Sequence, residues 1–155
     1  MDWKKLIISL FIPQLAGTIG SVFTSKTVTS WYTLLEMPWY QPPSWIFGPV
    51  WTLLFILMGI SFYFVWKEGW EKTEVKIAIG FFSFQLVLNV LWSFLFFWLR
   101  NPGYALIEIF ILWITILGNI IIFYKVSKKA AYLLIPYLLW VTFAILLNFA
   151  IFRLN

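Results

Sequence analysis

Five long apolar runs set the rhythm of the chain, at about 6–24, 45–66, 77–99, 104–124 and 130–152. Each is close to the length, about 20 residues, that a helix needs to cross a bilayer. Polar residues gather between the later runs, at Lys67 to Lys76, Asn101 to Gly103 and Lys125 to Lys129. Lipid offers no partner to an open backbone, so runs of this length predict helices. The predicted architecture is an all-α membrane protein, one bundle of five transmembrane helices over residues 1–155. Inside the first run, Pro13 predicts a kink or a neighbour that accommodates it. Asn101-Pro102-Gly103 predicts a tight turn.

One connection breaks the pattern. Residues 25–44 hold Trp31, Trp39, Pro38, Pro42 and Pro43, and Trp45, Pro49 and Trp51 follow at once. Proline fixes φ and removes a donor, so Pro38 to Pro43 is neither regular helix nor central strand. Rings need apolar surface, which predicts a folded cap over the mouth of the bundle. Ser44 is the expected N-cap of the second span.

Composition supports the membrane reading. Hydrophobic residues make up 63% and charged residues 11% of the chain; a soluble domain carries about 25% charged. With no Cys and no His, the chain supplies no disulfide, thiol nucleophile, His-based triad or imidazole and thiolate metal ligands. No metal site is expected, and no cofactor. The net charge of +5 does not indicate nucleic acid, because the basic residues lie in connections between spans. Met1 to Lys5 is a basic start with no small-residue cleavage site, so the first span is expected to remain. Lys4, Lys5, Lys67, Lys72, Lys76, Lys125, Lys128 and Lys129 fall on one side of the five spans, and Lys26, Arg100 and Arg153 on the other. The positive-inside rule then predicts a cytoplasmic N-terminus, with the cap and the C-terminus outside.

The few polar groups within spans carry the candidate chemistry. Gln85, Asn89 and Trp92 share one helical face, which reads either as interhelical bonding or as a pocket wall. Asn119 and Asn148 are expected to bond between helices. Glu108 either pairs with Arg100 or contacts a ligand. The small residues Ala16, Gly20 and Thr24, with Gly17 and Ser21, allow a close helix contact, within the bundle or across a dimer. Trp3, Trp66, Trp70 and Trp98 fit an interfacial belt. Trp51, Trp92 and Trp140 lie deeper, where a ring lining a cavity would stack on a flat apolar guest.

Three ordered motifs resemble one known family. They are Trp31-Tyr32 … Leu35 … Pro38 … Pro42-Pro43 … Phe47 … Pro49-Val50-Trp51, then Gln85-Leu86 … Leu88-Asn89 … Leu91-Trp92-Ser93, then Pro136-Tyr137 … Trp140 … Phe143-Ala144 … Leu147-Asn148 … Arg153 … Asn155. Together they look like the signature of the TspO/MBR family, the translocator and tryptophan-rich sensory proteins, across essentially the whole chain. The resemblance implies a five-helix bundle, often a homodimer, that binds porphyrins, sterols and benzodiazepine-type ligands. It places the pocket under the first loop, at Tyr32, Pro42, Phe47, Trp51, Gln85, Asn89, Trp92, Trp140, Ala144 and Leu147. It also implies light- and oxygen-dependent porphyrin breakdown, for which Trp51 and Trp140 match. The resemblance leaves three functions open: porphyrin reception or transport, porphyrin degradation, and regulation of a partner membrane protein. Phe149 stands where the family's C-terminal sterol pattern has Tyr, which removes a hydroxyl donor. That pattern is weak, since Leu57, Tyr63 and Lys67 also satisfy it.

Overall fold

The computed structural model describes residues 1–155. Five helical spans are long and apolar enough to cross a membrane: Trp3–Ser25, Ser44–Trp66, Thr73–Trp98, Pro102–Val126 and Lys128–Leu154. The protein is therefore the all-α five-helix bundle that its hydrophobic runs predict. Helix α1 is Trp3–Ser25, α2 is Phe47–Trp66, α3 is Thr73–Ser93, α4 is Pro102–Val126, α5 is Lys128–Leu133 and α6 is Ile135–Leu154. The last two form one span, broken at Leu134 because Pro136 lacks a donor for the turn before it.

The ends follow from local chemistry. Asp2 caps α1 by accepting from the amides of Lys4 and Lys5, and α1 runs on through a buried Pro13. Asn101 caps α4 through its side chain, with Pro102 in the first turn, so the predicted tight turn is the start of a helix. Arg100 makes the reversal in a left-handed conformation, φ 52°. Ser44 does not cap α2. It opens a 3-10 turn, Ser44–Ile46, that runs straight into the helix without a side-chain capping bond.

The pattern gave no sign of a wide turn at the end of α3. Phe94–Trp98 is π-helical, and the amide of Leu99 bonds to the carbonyl of Phe94 at 2.9 Å. The wider turn lets two neighbours, Phe96 and Phe97, both face inward. Thr27, buried, donates to the Phe97 carbonyl at 3.1 Å.

The small residues of α1 pack within the bundle. A Cβ on Gly59 of α2 would lie 2.7 Å from Leu10 Cα, so the two backbones touch there. A Cβ on Gly17 would meet the Phe55 ring at 2.5 Å, and one on Gly20 the Ser93 hydroxyl at 3.3 Å. Of the two readings of this row, packing inside the protomer is the one seen.

The two ends of the bundle differ in charge. The α1 N-terminus, the α2–α3 and α4–α5 connections form a lysine-rich end, where Lys5 lies over the Trp66 ring and Lys128 over Tyr124. The other end carries Lys26, over Trp98, with Arg100 and Arg153.

Candidate functional site

A cavity of about 460 Å³ lies in the lysine-poor half of the bundle. Its walls come from α1, α2, α3, α4 and α6, and its roof from the connection between α1 and α2.

The roof is pinned in two places. Trp31, Tyr32, Leu35 and Met37 pack on a cluster of Phe96, Phe97, Ala105 and Ile151. The Glu36 amide donates to Asn155 Oδ1 at 2.9 Å, and Asn155 Nδ2 donates back to the Glu36 carbonyl at 3.0 Å. The expected cap is present, but it does not bury all its rings: Trp39 is 94% and Trp45 74% exposed. Gln41 Nε2 donates to the Tyr32 hydroxyl at 2.8 Å, and both residues line the cavity. Burial raises the Tyr32 phenol above its ordinary pKa, partly offset by that bond. Gln41 Oε1 is buried with no partner and is closed off from the cavity as it stands. Sequence reasoning missed Gln41; its only sign was a polar residue set among prolines.

Eight of the ten residues implied by the resemblance line the cavity: Tyr32, Phe47, Trp51, Asn89, Trp92, Trp140, Ala144 and Leu147. Pro42 does not. Gln85 does not either. It sits below the floor, where the Tyr137 hydroxyl donates to Gln85 Oε1 at 2.9 Å and accepts from Asn89 Nδ2 at 2.7 Å. Gln85 and Asn89 share a face, as expected, but one is core and the other floor. Phe96 and Phe97 also line the cavity and were not anticipated, because the π-turn that aims them left no mark in the periodicity.

The aromatic wall is ordered. Trp92 stacks on Phe96 with centroids 5.0 Å apart, and its N–H donates to Asn148. Trp51 meets Tyr137 edge-on at 6.2 Å, and Trp140 meets Phe47 edge-on at 5.9 Å. The indole N–H groups of Trp92 and Trp113 have protein acceptors, Asn148 Oδ1 and Thr142 Oγ1, whereas those of Trp51 and Trp140 have none. No Lys, Arg, Asp or Glu lines the cavity. A guest held here is therefore mostly apolar, and any charged groups it carries must lie at the mouth.

Two expectations about buried polar groups are corrected. Glu108 is 4% exposed, and neither carboxylate oxygen has a hydrogen-bond partner, so it does not pair with Arg100. It does not line the cavity. Asn119 bonds to nothing through either side-chain atom. Asn148 does bridge helices as expected. Phe149 is exposed on the outside of α6, away from the cavity.

Comparison with known proteins gives the family. The family model described as TspO/MBR family matches residues 9–154. The Tryptophan-rich protein TspO of Archaeoglobus fulgidus is 46% identical over 156 residues, covering 100% of this chain and 99% of its own. Its namesake in Chlorobaculum tepidum is 47% identical over 139 residues, covering 90% of this chain and 88% of its own. The human Translocator protein is 37% identical over 154 residues, covering 99% and 91%. With five membrane-crossing helices and a match running nearly end to end, the chain belongs to the TspO/MBR family.

Proposed function

We propose that this protein is a membrane receptor for porphyrins such as protoporphyrin IX or haem, and for other flat hydrophobic molecules, serving tetrapyrrole sensing, transport or regulation. The observation that carries this reading is the chamber itself. Its volume of about 460 Å³ falls in the usual range of small-molecule sites, about 300–1,000 Å³. Trp51, Trp92 and Trp140 line it together, and stacked aromatic pairs each contribute about 0.5–1.5 kcal/mol beyond area burial. Asn89 and the free indole N–H groups of Trp51 and Trp140 supply the few polar contacts that orient a guest.

The test is titration of protoporphyrin IX, followed by its own absorbance, into wild type and into the variant carrying Trp51→Phe and Trp140→Phe. Saturable binding by wild type, weakened about tenfold in the variant, supports the reading. Equal and weak binding by both overturns it.

A second reading is chemical. The unpartnered N–H groups of Trp51 and Trp140 leave both indoles free to meet a guest. A photo-excited porphyrin would take an electron from a stacked indole and pass it to dioxygen; the indole radical would regain an electron from the macrocycle, whose radical cation would combine with the superoxide and open, with net consumption of one dioxygen. Absorbance loss under light that persists unchanged in the same double variant rejects these two residues as the agents.

Three further expectations belong to the proposed function. The lysine-rich end is cytoplasmic by the positive-inside rule, which puts the roof and the C-terminus outside the cell membrane. A homodimer uses a face other than the α1 glycine row, which is spent inside the protomer. A sterol-like guest would be a chamber ligand too, since Phe149 faces away from the chamber and brings no hydroxyl.

A further inference from the structure

The chamber has a mouth, and exposure shows where it is. Among its lining residues, those that are also exposed on the protein surface are Thr18 and Ser21 of α1 with Ser44, Gly48 and Thr52 at the start of the second span. The roof residues that line it, Val28, Tyr32 and Gln41, are half-buried. So the chamber opens through its side, between α1 and α2, and not through its roof.

Packing explains the opening. The two helices touch backbone to backbone at Gly59 and Leu10, and remain close at Gly17 and Phe55. About two turns nearer the roof there is open space instead: a Cβ on Gly48 would meet no heavy atom of another element within 4 Å. The edges of the slot are chemically muted. Thr18 Oγ1 donates to the Gln14 carbonyl at 2.8 Å, Ser21 Oγ to Thr18 at 2.7 Å and Thr52 Oγ1 to Gly48 at 2.9 Å. These three hydroxyls are each turned back on their own helix, so Ser44 alone offers a free hydroxyl at the slot, at its end nearest the roof.

Depth identifies what lies outside. Ser61 Oγ donates to the Ala130 carbonyl at 2.7 Å, which sets α2 and α5 at one level. From Ser61, Trp66 lies about 7 Å toward the lysine-rich end, while Phe55 lies about 9 Å and Ser44 about 25 Å the other way. A hydrocarbon core of about 30 Å that starts at Trp66 therefore reaches nearly to Ser44. The slot, from Phe55 to Ser44, falls wholly within the lysine-poor leaflet. The exposed rings of Trp45 and Trp98 mark that leaflet's interface.

We propose that this slot is the ligand door, and that guests pass between the chamber and the acyl chains of the lysine-poor leaflet without crossing water. The proposal rests on the reading of the chamber as a ligand site. The lid-like loop is then a fixed roof, held by the Glu36–Asn155 pair and the Trp31 cluster, and the bilayer is the reservoir that delivers the guest.

The chain has no cysteine, so single thiols can be placed at will. Spin labels on Ser21→Cys and Thr52→Cys, in vesicles of phosphatidylcholine with phosphatidylglycerol, are expected to collide with dissolved oxygen and not with a water-soluble nickel chelate. A label on Glu71→Cys, in the exposed charged connection, should show the reverse. Nickel access at Ser21 and Thr52 matching that at Glu71 overturns the door whatever the ligand is. The second arm joins Ser21→Cys to Thr52→Cys with a bridging reagent that a reductant cleaves. Uptake of protoporphyrin IX from preloaded vesicles, and its release, should each slow about tenfold or more and recover on cleavage. Should the pair refuse the bridge, Gly48→Trp, which fills the open space, should slow both steps alike. Unchanged rates with the slot blocked overturn the route. Absence of any uptake by wild type, with lipid-facing labels, sinks the porphyrin reading and leaves a lipid-facing slot.

Discussion

The indole N–H of Trp92 donates to Asn148 Oδ1 at 3.0 Å, and the same amide donates through Nδ2 to the Pro102 carbonyl at 2.9 Å. One side chain of α6 thereby fixes a chamber wall on α3 and the first turn of α4. Asn148→Leu strands the Trp92 N–H, at about 1–2 kcal/mol. The variant that adds Trp92→Phe has no donor to strand, so its loss should be smaller than the sum of the single losses. Unfolding by sodium dodecyl sulfate in mixed micelles measures all three; additive losses would show that the bond contributes nothing.

The floor makes a sharper case. Tyr137 joins Gln85 and Asn89 through one hydroxyl, used once as donor and once as acceptor. Tyr137→Phe keeps the ring under Trp51 and removes only the oxygen. It leaves a fully buried Gln85 Oε1 without a donor, while Asn89 can turn to the chamber. The expected loss is about 2 kcal/mol in the same unfolding assay. Gln85→Met should cost less, because it removes the group that Tyr137→Phe would strand.

These two networks show how far the sequence could be read. The spans were legible because lipid forces long apolar runs, and Pro, Asn and Lys punctuate them. The sharing of a face by Gln85, Asn89 and Trp92 was legible because helical period fixes angle. Depth was not: period does not say that Gln85 lies below the floor and Asn89 at it. The inward turn of Phe96 and Phe97 was hidden for a related reason, since a π-turn changes the angle per residue without a polar marker. The aromatic cap was legible because rings seek apolar surface, but which rings it buries was not: Trp39 and Trp45 stay exposed, and at the edge of a bilayer the lipid itself provides that surface. Glu108 and Asn119 were expected to find partners, and neither does.

Glu108 therefore gives an inverted expectation. Replacing one member of an ion pair strands the other, whereas this carboxyl has no partner to strand. Glu108→Leu should hold or raise stability, by up to about 1–2 kcal/mol, through removal of a buried unsatisfied group. Arg100→Gln should leave Glu108 unaffected, so the change in the double variant should equal the sum of the two single changes within about 0.5 kcal/mol. A loss on Glu108→Leu that Arg100→Gln abolishes would reveal a pair after all.

The contact between α1 and α2 decides whether the slot exists, and two glycines test it against each other. At Gly59 an added Cβ would stand 2.7 Å from Leu10 Cα and 2.8 Å from the Ser9 carbonyl oxygen. Both are backbone atoms, so relief requires the helices to separate. At Gly80, mid-helix in α3, an added Cβ meets nothing within 4 Å. Gly80→Ala should stabilise by about 0.5–1 kcal/mol, because it removes only chain entropy. Gly59→Ala gains the same helix propensity and must lose more, for a net cost of about 1–3 kcal/mol. Its effect should also reach the slot, since the Gly59 contact is what closes the helix pair below Gly17 and Phe55. A spin label at Ser21 should therefore become more mobile in Gly59→Ala and stay as it was in Gly80→Ala. Equal stability changes at the two positions would show that α1 and α2 do not touch at Gly59, and the slot would lose its lower edge.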